Sequence, residues 1–193
     1  MDQKQLLQHK NAEIILEKGW HLFQQKGYRG LSVDELCLQC AITKPTLYYY
    51  FGDKENLFVE VLQYQLHGFH EMITRPGPLP SRLQAFAAHI FASFETEYSA
   101  LLHDREHIKQ PENQRRIRDA FHTELFDPLN ALMQQGIDQG ELNGSSAEMF
   151  SLMFLGLINN FIGRANQDRN NAAALAVTLT TYFLTGTQKT KEL

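Results

Sequence analysis

The chain has 193 residues, of which 43% are hydrophobic, and its formal net charge is −4. This length fits one or two compact units, no apolar run approaches the roughly 20 residues of a membrane span, and the first residues lack the apolar core of a secretory signal. The 2 cysteines do not make a disulfide framework, so we expect a protein of the reducing cytoplasm. Because no apolar run is long enough, we expect no membrane partner.

The first predicted helix covers residues 11–26, where apolar side chains recur on one helix face, and Gly27 is a natural C-terminal stop. The next helix begins at Ser32. Its hydroxyl can accept a hydrogen bond from the backbone N–H of Glu35, while the Glu35 carboxylate reaches back to the Ser32 N–H, which is the pattern of a capping box. These signals predict two helices with a break between them.

Another short helix follows almost at once. Thr43 is placed as its N-cap, and Pro45 lies in its first turn. Only residues 40–42 separate it from the preceding helix, which leaves room for a sharp corner, and Asp53 starts the next helix. Helices of about two turns do not persist alone and must pack on a scaffold. The pattern predicts a helix-turn-helix, whose second helix usually enters the DNA major groove.

From Ile15 to about Leu62 the chain resembles the DNA-binding domain of the TetR family of bacterial transcriptional regulators. The resemblance implies an all-α fold, with an N-terminal three-helix helix-turn-helix DNA-binding domain over residues 1–52 and a C-terminal helical ligand-binding and dimerisation domain over residues 53–193. The residues that match the family pattern are Ile15-Leu16, Leu22-Phe23, Gly27-Tyr28, Val33-Asp34, Ile42-Thr43, Leu47-Tyr48, Tyr50-Phe51, Lys54-Glu55 and Leu57-Phe58.

Two features depart from that pattern. The family usually has small residues and a glycine around the turn, where this chain has Cys37, Cys40 and Ala41, and positive φ is harder for alanine than for glycine. Residues 1–66 carry 7 Lys and Arg against 8 Asp and Glu, although DNA-binding domains are often basic. We therefore expect weak non-specific attraction to phosphates, with specific binding depending on a few cations and neutral donors.

We expect the second helix of the motif to read base edges. Lys44 can donate to guanine O6 and N7, while the Pro45 ring and the Thr46 methyl group can contact a thymine methyl. The neighbouring tyrosines have core packing as an alternative role, because one of them must face inward beside Leu47 and Phe51. The predicted DNA-binding residues are Ser32, Thr43, Lys44, Pro45, Thr46, Tyr48, Tyr49, Tyr50 and Lys54.

Beyond residue 53 the pattern predicts helices throughout, and strand-like alternation is nowhere sustained. The stretch at residues 75–80 is rich in proline and is the clearest linker. Pro111 breaks the chain, and Pro128 should kink or interrupt the helix that contains it. The predicted helices cover residues 53–73, 81–97, 98–109, 113–140, 147–167 and 171–187.

The last two predicted helices are apolar around nearly their whole circumference, so they must be buried on all sides. Two interpretations remain open: both helices complete the core of a monomer, or a second copy of the chain covers them. TetR-like proteins dimerise through such helices, which favours a homodimer with a four-helix interface. The predicted interface residues are Phe154, Ile158, Phe161, Ile162, Leu179, Tyr182 and Phe183.

The resemblance implies a repressor that binds a palindromic double-stranded operator as a homodimer and is released by a small-molecule inducer. The helix over residues 53–73 would transmit the signal, because it starts at the DNA-reading head and ends in the ligand-binding body. Aromatic and polar residues at helical spacing are candidates for an apolar pocket with a few polar anchors, although they are also typical of a core. They are Phe86, His89, Phe94, Tyr98, His103, Phe121, His122, Phe126, Met153 and Asn160.

Other groups of residues favour ordinary roles. Cys37 and Cys40 have the spacing of a thiol pair, but both replace small buried residues on a helix, which favours core cysteines. His67 and His70 have the spacing of metal ligands without a third ligand. Because the chain has no phosphate-binding loop and no hydrolase motif, we expect no cofactor, no metal and no enzymatic activity. The alternative is a helical enzyme or interaction protein that only resembles a regulator.

Overall fold

The structure is a computed structural model that describes residues 10–95 and 104–187. All regular elements in these ranges are helical, which confirms the predicted all-α class. In the same two ranges, no helix has both the length and the apolar character needed to cross a membrane. We number the α-helices in chain order as α1 Lys10–Gly30, α2 Val33–Cys40, α3 Lys44–Phe51, α4 Lys54–Thr74, α5 Leu79–Ser93, α6 Pro111–Phe121, α7 Asp127–Asp138, α8 Ala147–Gln167 and α9 Ala172–Thr187.

The described residues fall into two compact units. The first unit joins residues 10–66 to residues 104–120, and the second joins residues 67–95 to residues 121–187. Helix α4 therefore begins in the first unit and ends in the second. The functional boundary at residue 52 stays a prediction.

The core of the first unit is aromatic where α1 meets α4. The rings of Phe23 and Tyr28 have their centroids 4.9 Å and 5.2 Å from the centroid of Phe58. Gly19 allows this approach, because a Cβ atom at that position would lie only 3.0 Å from Cγ2 of Val61. The close packing of the two helices explains why glycine occupies a helix interior, where it is otherwise unfavourable.

Helix α1 is broken at Gly27, as the sequence predicts. This residue has φ 69° and ψ 168°, a non-helical conformation that favours glycine, and one further turn follows before the helix ends at Gly30. Beyond the break, the backbone N–H of Tyr28 donates to Oδ2 of Asp104 at 2.8 Å. After the break at Gly27, the backbone N–H of Tyr28 therefore has the carboxylate of the distant Asp104 as its acceptor.

Around residue 110 the chain differs from the prediction. The sequence predicts a helix over residues 98–109, of which residues 98–103 lie outside the described residues. In the described part, Asp104 is helical, a short 3₁₀ turn covers Arg105–His107, and no helix covers Ile108 and Lys109. The predicted break at Pro111 is present, since residues 108–110 are not helical, and Pro111 itself begins α6. A proline is well accommodated at this position, because the N–H that it lacks would have no partner in the first turn of a helix.

The predicted interruption at Pro128 is confirmed. A π-helical turn covers His122–Phe126, and the backbone N–H of Asp127 donates to the carbonyl of His122, five residues back. Pro128 has no N–H for the carbonyl of Glu124, and its ring would clash with that carbonyl in a regular helix. The wider turn resolves both conflicts and lets α7 begin at Asp127.

In the second unit, α5 packs on α8 and α9, and α7 packs on α8. The ring of Phe154 in α8 occupies the centre of this core. Its centroid lies 6.4 Å from that of Phe86 in α5 and 4.9 Å from that of Phe183 in α9. All three rings are buried, so the core is built from three helices of the same chain.

This packing corrects the predicted dimer interface. Five of its seven residues are covered by the chain's own helices and belong to the core of the protomer: Phe154, Ile158, Ile162, Leu179 and Phe183. Of the other two, Phe161 is half-buried and Tyr182 is 69% exposed. The same two helices expose other large apolar side chains on a second face, namely Met149, Leu152, Met153 and Val177. The apolar circumference therefore combines a core face with an exposed face.

Candidate nucleic-acid interface

Hydrogen-bonded caps define where α2 and α3 begin. Ser32 Oγ accepts from the backbone N–H of Glu35 at 3.1 Å, and Thr43 Oγ1 accepts from the backbone N–H of Thr46 at 3.3 Å. Both predicted N-caps are confirmed. The Glu35 carboxylate, however, pairs with Nζ of Lys26 instead of completing the capping box. A cap of this kind stabilises a helix by about 1 kcal/mol, which matters for helices of two turns.

The corner between the two helices turns at Ala41. Its φ of 55° and ψ of 43° lie in the left-handed region, as expected at a position where the family usually has a glycine. The N–H groups of Ala41 and Ile42 donate back to the carbonyls of Leu38 and Cys37 at 3.2 Å and 3.0 Å. This conformation costs an alanine about 1–2 kcal/mol, because Cβ crowds the following carbonyl oxygen. The corner is therefore tight and locally strained.

Cys37 and Cys40 hold the inner side of this corner, and both are buried free thiols. Burial raises the pKa of each thiol above its ordinary value. Since the thiolate is the reactive form, both residues are unreactive at neutral pH. Their position agrees with the interpretation of core cysteines.

Helix α3 has a buried side and a polar, aromatic outer side. Leu47 and Phe51 are buried, and Tyr50 is half-buried, which makes it the inward-facing tyrosine. Tyr49 and Tyr48 are 69% and 44% exposed. The predicted DNA-binding residues with exposed side chains around α3 are Ser32, Thr43, Lys44, Pro45, Tyr48 and Tyr49, and Thr46 is half-buried beside them.

Leu38 is a surface residue that the sequence reasoning missed. It lies in the last turn of α2 and is 77% exposed. Leucine is usually a core residue, but Leu38 follows the buried Leu36 by two positions and so points to the other side of the helix. An apolar side chain here is available for contact with a sugar or a thymine methyl group.

Two cations of the helix-turn-helix unit, Lys44 and Lys26, form ion pairs. Nζ of Lys44 lies 2.7 Å from Oδ1 of Asp34, and Lys26 pairs with Glu35. Lys44 is the only basic residue of α3. Its hydrogen bond with Asp34 raises the pKa of the ammonium group above its ordinary value. Lys44 is therefore charged at any physiological pH, but it already has an acidic partner.

Lys54, predicted as a phosphate contact, lies at the start of α4 against an aromatic ring. Its Nζ is 4.6 Å from the centroid of Tyr28, which is within the range of a cation–π interaction. Burial lowers the pKa of Lys54, and the charge of Asp104 partly opposes this effect. Lys54 is thus a half-buried cation that also stabilises the junction between α1 and α4.

A carboxylate of α4 fastens the start of α6 within the first unit. Glu55 is 9% exposed, and its two carboxylate oxygens accept from the backbone N–H groups of Gln110 at 2.9 Å and Lys109 at 3.2 Å. The side-chain amide of Asn113 also donates to Glu55 Oε1, at 3.2 Å. An acidic group at a helix N-terminus is favourable, since the unpaired N–H groups there carry partial positive charge. These donors explain how a buried carboxylate is tolerated.

A second connection lies one to two turns further along the same two helices. Arg116 of α6 pairs with Glu60 of α4 and donates to Oε1 of Gln63 at 2.8 Å. Together with the bond between Asp104 and Tyr28, these contacts tie residues 104–116 to α1 and α4. The helix-turn-helix therefore rests on a scaffold that includes a segment more than 50 residues further along the chain.

Three of the predicted pocket residues come together in the second unit. The ring of Phe69 in α4 has its centroid 6.1 Å from Phe86, 5.5 Å from His89 and 5.9 Å from Phe94. Burial lowers the pKa of His89, so its imidazole is neutral at physiological pH. Its Nε2 atom is buried and has no hydrogen-bond partner among the described residues. A buried polar atom of this kind, surrounded by rings, can anchor a polar group of a ligand.

The remaining pocket residues are placed differently. His122, Met153 and Asn160 are exposed, and the Asn160 amide donates to the carbonyl of Gly156 on its own helix. These three residues therefore do not line the predicted pocket. Helical periodicity suggested them, but it does not show which side of a helix is covered by other helices. Phe121 and Phe126 are half-buried. Tyr98 and His103 lie outside the described residues.

The histidine pair on α4 shares one carboxylate. Nδ1 of His67 and Nδ1 of His70 lie 3.2 Å and 3.5 Å from the same oxygen of Glu124, in the π-helical turn. Among residues 10–95 and 104–187, no three His, Cys, Asp or Glu side chains are grouped in a way that could hold a metal ion. The pair therefore connects two elements of the second unit through Glu124.

Two short capped helices, a left-handed corner and an exposed outer face on the second helix define a helix-turn-helix DNA-binding unit in an all-α protein. Residues 15–61 match the family model of bacterial regulatory proteins of the tetR family. Residues 15–61 are therefore a DNA-binding domain of this family, which makes the chain a DNA-binding transcriptional regulator.

Similar sequences carry names of the same class. The chain is 42% identical to the HTH-type transcriptional regulator YuxN of Bacillus subtilis strain 168 over 55 residues, which are 28% of this chain and 19% of YuxN. It is 23% identical to YezE of the same strain over 159 residues, covering 74% of this chain and 78% of YezE. With the transcriptional repressor NemR of Escherichia coli K12 it shares 30% identity over 67 residues, 35% of this chain and 34% of NemR.

Solved structures of similar fold include three named regulators. PfmR of Thermus thermophilus superposes with a TM-score of 0.69 at 24% identity, covering 91% of this chain and 99% of PfmR. AibR in complex with isovaleryl coenzyme A and operator DNA superposes with a TM-score of 0.67 at 22% identity, covering 88% of this chain and 97% of AibR. FadR of Bacillus subtilis in complex with stearoyl-CoA superposes with a TM-score of 0.66 at 18% identity, covering 90% of this chain and 98% of FadR. At these identities the likeness concerns the fold.

Proposed function

We propose that this regulator is a repressor that binds a palindromic operator as a homodimer and leaves the DNA when a small molecule binds its second unit. The exposed outer face of α3, on a helix that is capped at Thr43 and anchored by Leu47 and Phe51, carries the proposal. A site of action on operator DNA implies a cytoplasmic protein.

Residues of this face suit the major groove. Lys44 can donate to O6 and N7 of guanine, and the Pro45 ring can contact a thymine methyl group. The hydroxyl of Thr46 lies 2.9 Å from that of Thr43, so its methyl group is the part that remains for an apolar contact. The exposed phenols of Tyr48 and Tyr49 suit hydrogen bonds to phosphates or bases.

The exposed apolar face of α8 and α9 suits a second copy of the chain. Met149, Leu152, Met153, Val177 and Tyr182 are each at least 47% exposed on these two helices. Contiguous exposed apolar surface on a protein of this size marks an interaction site. A symmetric dimer would bring two helix-turn-helix units to two half-sites of a palindrome, about one helical turn apart or a multiple of that spacing.

The cluster formed by Phe69, Phe86, His89 and Phe94 suits the apolar part of a ligand, with Nε2 of His89 available for a polar group. FadR and AibR were solved with acyl-coenzyme A compounds. Acyl-coenzyme A thioesters of different chain lengths are therefore the first compounds to test. A ligand releases DNA only if it binds the DNA-incompetent arrangement more tightly.

Selection from a pool of random-sequence duplexes tests the proposed function directly. We expect the wild-type protein to enrich a palindromic sequence, and we expect a compound that raises its thermal midpoint to release the enriched duplex. Enrichment of no sequence would favour the alternative, a helical interaction protein or enzyme that only resembles a regulator. Enrichment without release by any stabilising compound would contradict ligand control.

A further inference from the structure

An acidic residue of α2 holds the single cation of the DNA-reading helix. Nζ of Lys44 lies 2.7 Å from Oδ1 of Asp34, and the two side chains are 48% and 77% exposed. The pair therefore lies on the surface of the helix-turn-helix unit, beside the exposed outer face of α3. Both side chains are exposed, so neither is needed to fill the core.

Few charged residues of α2 and α3 could pair with each other. Helix α2 contributes Asp34 and Glu35, and α3 contributes Lys44 alone. Glu35 pairs with Lys26 of α1, so Asp34 is the acidic residue that engages Lys44. The two helices of the motif therefore offer DNA one cation, and that cation already has a carboxylate where a phosphate oxygen would otherwise bind.

We propose that Asp34 determines the sequence selectivity of this protein by holding Lys44 as an internal substitute for a DNA phosphate. The inference rests on the proposed function, in which α3 reads operator DNA. On non-specific DNA the pair stays formed, and Lys44 adds little to the attraction for phosphates. On the operator, O6 and N7 of a guanine offer two acceptors, and Lys44 exchanges Asp34 for the base. The exchange is feasible because an exposed ion pair is weak.

Asp34 also has an ordinary structural role, and the test must distinguish this role from its effect on Lys44. It lies in the first turn of α2, where an acidic residue is favourable beside the unpaired N–H groups. Glu112 has the same position in the first turn of α6 and forms a surface pair with Arg115 at 2.9 Å. Glu112→Gln removes the same charge from an equivalent position outside α2 and α3. It is therefore the matched control for Asp34→Asn.

The experiment measures binding to two probes, a duplex that the wild type selects from a random pool and a scrambled duplex of the same composition. Fluorescence anisotropy gives the affinity between about 50 and 200 mM salt, over which each phosphate contact contributes a slope of about −0.9 in log K against log salt. For Asp34→Asn we expect the slope on the scrambled duplex to become more negative by about 0.9 per head, because Lys44 now reaches a phosphate. Affinity for the selected duplex changes less, so selectivity falls. Glu112→Gln leaves both slopes unchanged.

A double mutant separates release of Lys44 from simple repulsion between Asp34 and DNA. With Lys44→Met present, we expect Asp34→Asn to leave the slope on the scrambled duplex unchanged. An equal effect of Asp34→Asn with and without Lys44→Met would mean that Asp34 only repels phosphates, and the inference would be overturned. Weaker binding of Asp34→Asn to the scrambled duplex would overturn it as well.

The failure of this inference is distinguishable from that of the proposed function. A wild-type protein that selects no sequence overturns both. A wild-type protein that selects a sequence, with an Asp34→Asn variant whose slopes equal those of the wild type, overturns the inference alone. Fluorescence of Trp20, the 1 tryptophan of the chain, reports whether each variant is folded. If Asp34→Asn does not fold, Asp34→Ser keeps a small polar residue in the same turn and takes its place.

Discussion

Replacement of Glu55 by glutamine removes the buried charge that fastens the start of α6 to α4. The glutamine has the same shape, and its carbonyl can replace Oε1, which accepts from Gln110 N–H and the Asn113 amide. Its NH₂ group, however, would take the position of Oε2 and face the N–H of Lys109, 3.2 Å away in the wild type. Two donors would then face each other in a buried site.

The expected loss follows from these contacts. A hydrogen bond to a charged group contributes about 1.5–3 kcal/mol, and a carboxylate at a helix N-terminus adds roughly 0.3–1 kcal/mol. Because one of three such hydrogen bonds is lost and the other two are weakened, we expect the free energy of unfolding of the first unit to fall by about 2 kcal/mol. For a unit of this size, the thermal midpoint should fall by roughly 8–16 °C.

Urea unfolding followed by Trp20 fluorescence measures this change, since Trp20 is buried in α1 of the first unit. Glu112→Gln is the control: it also neutralises an acidic residue in the first turn of α6, but that residue is exposed and pairs with Arg115 on the surface. We expect the control to lie within about 0.5 kcal/mol of the wild type. Equal stabilities of the two variants would refute the reasoning, because the Glu55 carboxylate would then contribute no more than a surface charge.

Three further outcomes are expected. Ala41→Gly should raise the free energy of unfolding by about 0.5–1 kcal/mol, since relief of the left-handed strain exceeds the added freedom of the unfolded chain; urea unfolding measures it, and an unchanged or lower stability would contradict the strain. Lys44→Ala and Tyr49→Ala should each weaken binding to the selected operator by about 1–3 kcal/mol per half-site without changing the thermal midpoint; unchanged affinity and sequence preference would mean that α3 reads DNA with another face. Met153→Glu and Tyr182→Glu should give folded monomers in sedimentation, because both side chains are exposed in the protomer; a wild-type protein that sediments as a monomer would exclude the proposed dimer.

The helix-turn-helix could be predicted in detail because its signals are short-range. A cap needs only Ser32 and a backbone N–H three residues away, and Thr43 repeats the pattern. Gly27 breaks a helix through its own φ and ψ, and Ala41 turns the corner in the same way. Each of these features depends on neighbouring residues alone, so it is visible in the amino-acid sequence before anything is known about packing.

Contacts between distant segments could not be predicted in this way. The sequence places Glu55 near the start of a helix and within the family pattern, but it does not show that its partners Gln110 and Asn113 lie 55 and 58 residues further on. The helix-start signals around Glu55 do not distinguish its carboxylate from that of the exposed Glu112. Only the fold, which brings the start of α6 against α4, gives Glu55 its role.

Which side of the last two helices is buried could not be predicted for the same reason. Their apolar residues cover nearly the whole circumference, and the pattern alone therefore does not separate Phe154 and Phe183, which α5 covers within the same chain, from Met153 and Tyr182, which stay exposed. Short-range capping and turn chemistry specify where helices begin and end. Which side of each helix is buried depends on what packs against it, and that is a property of the whole folded chain.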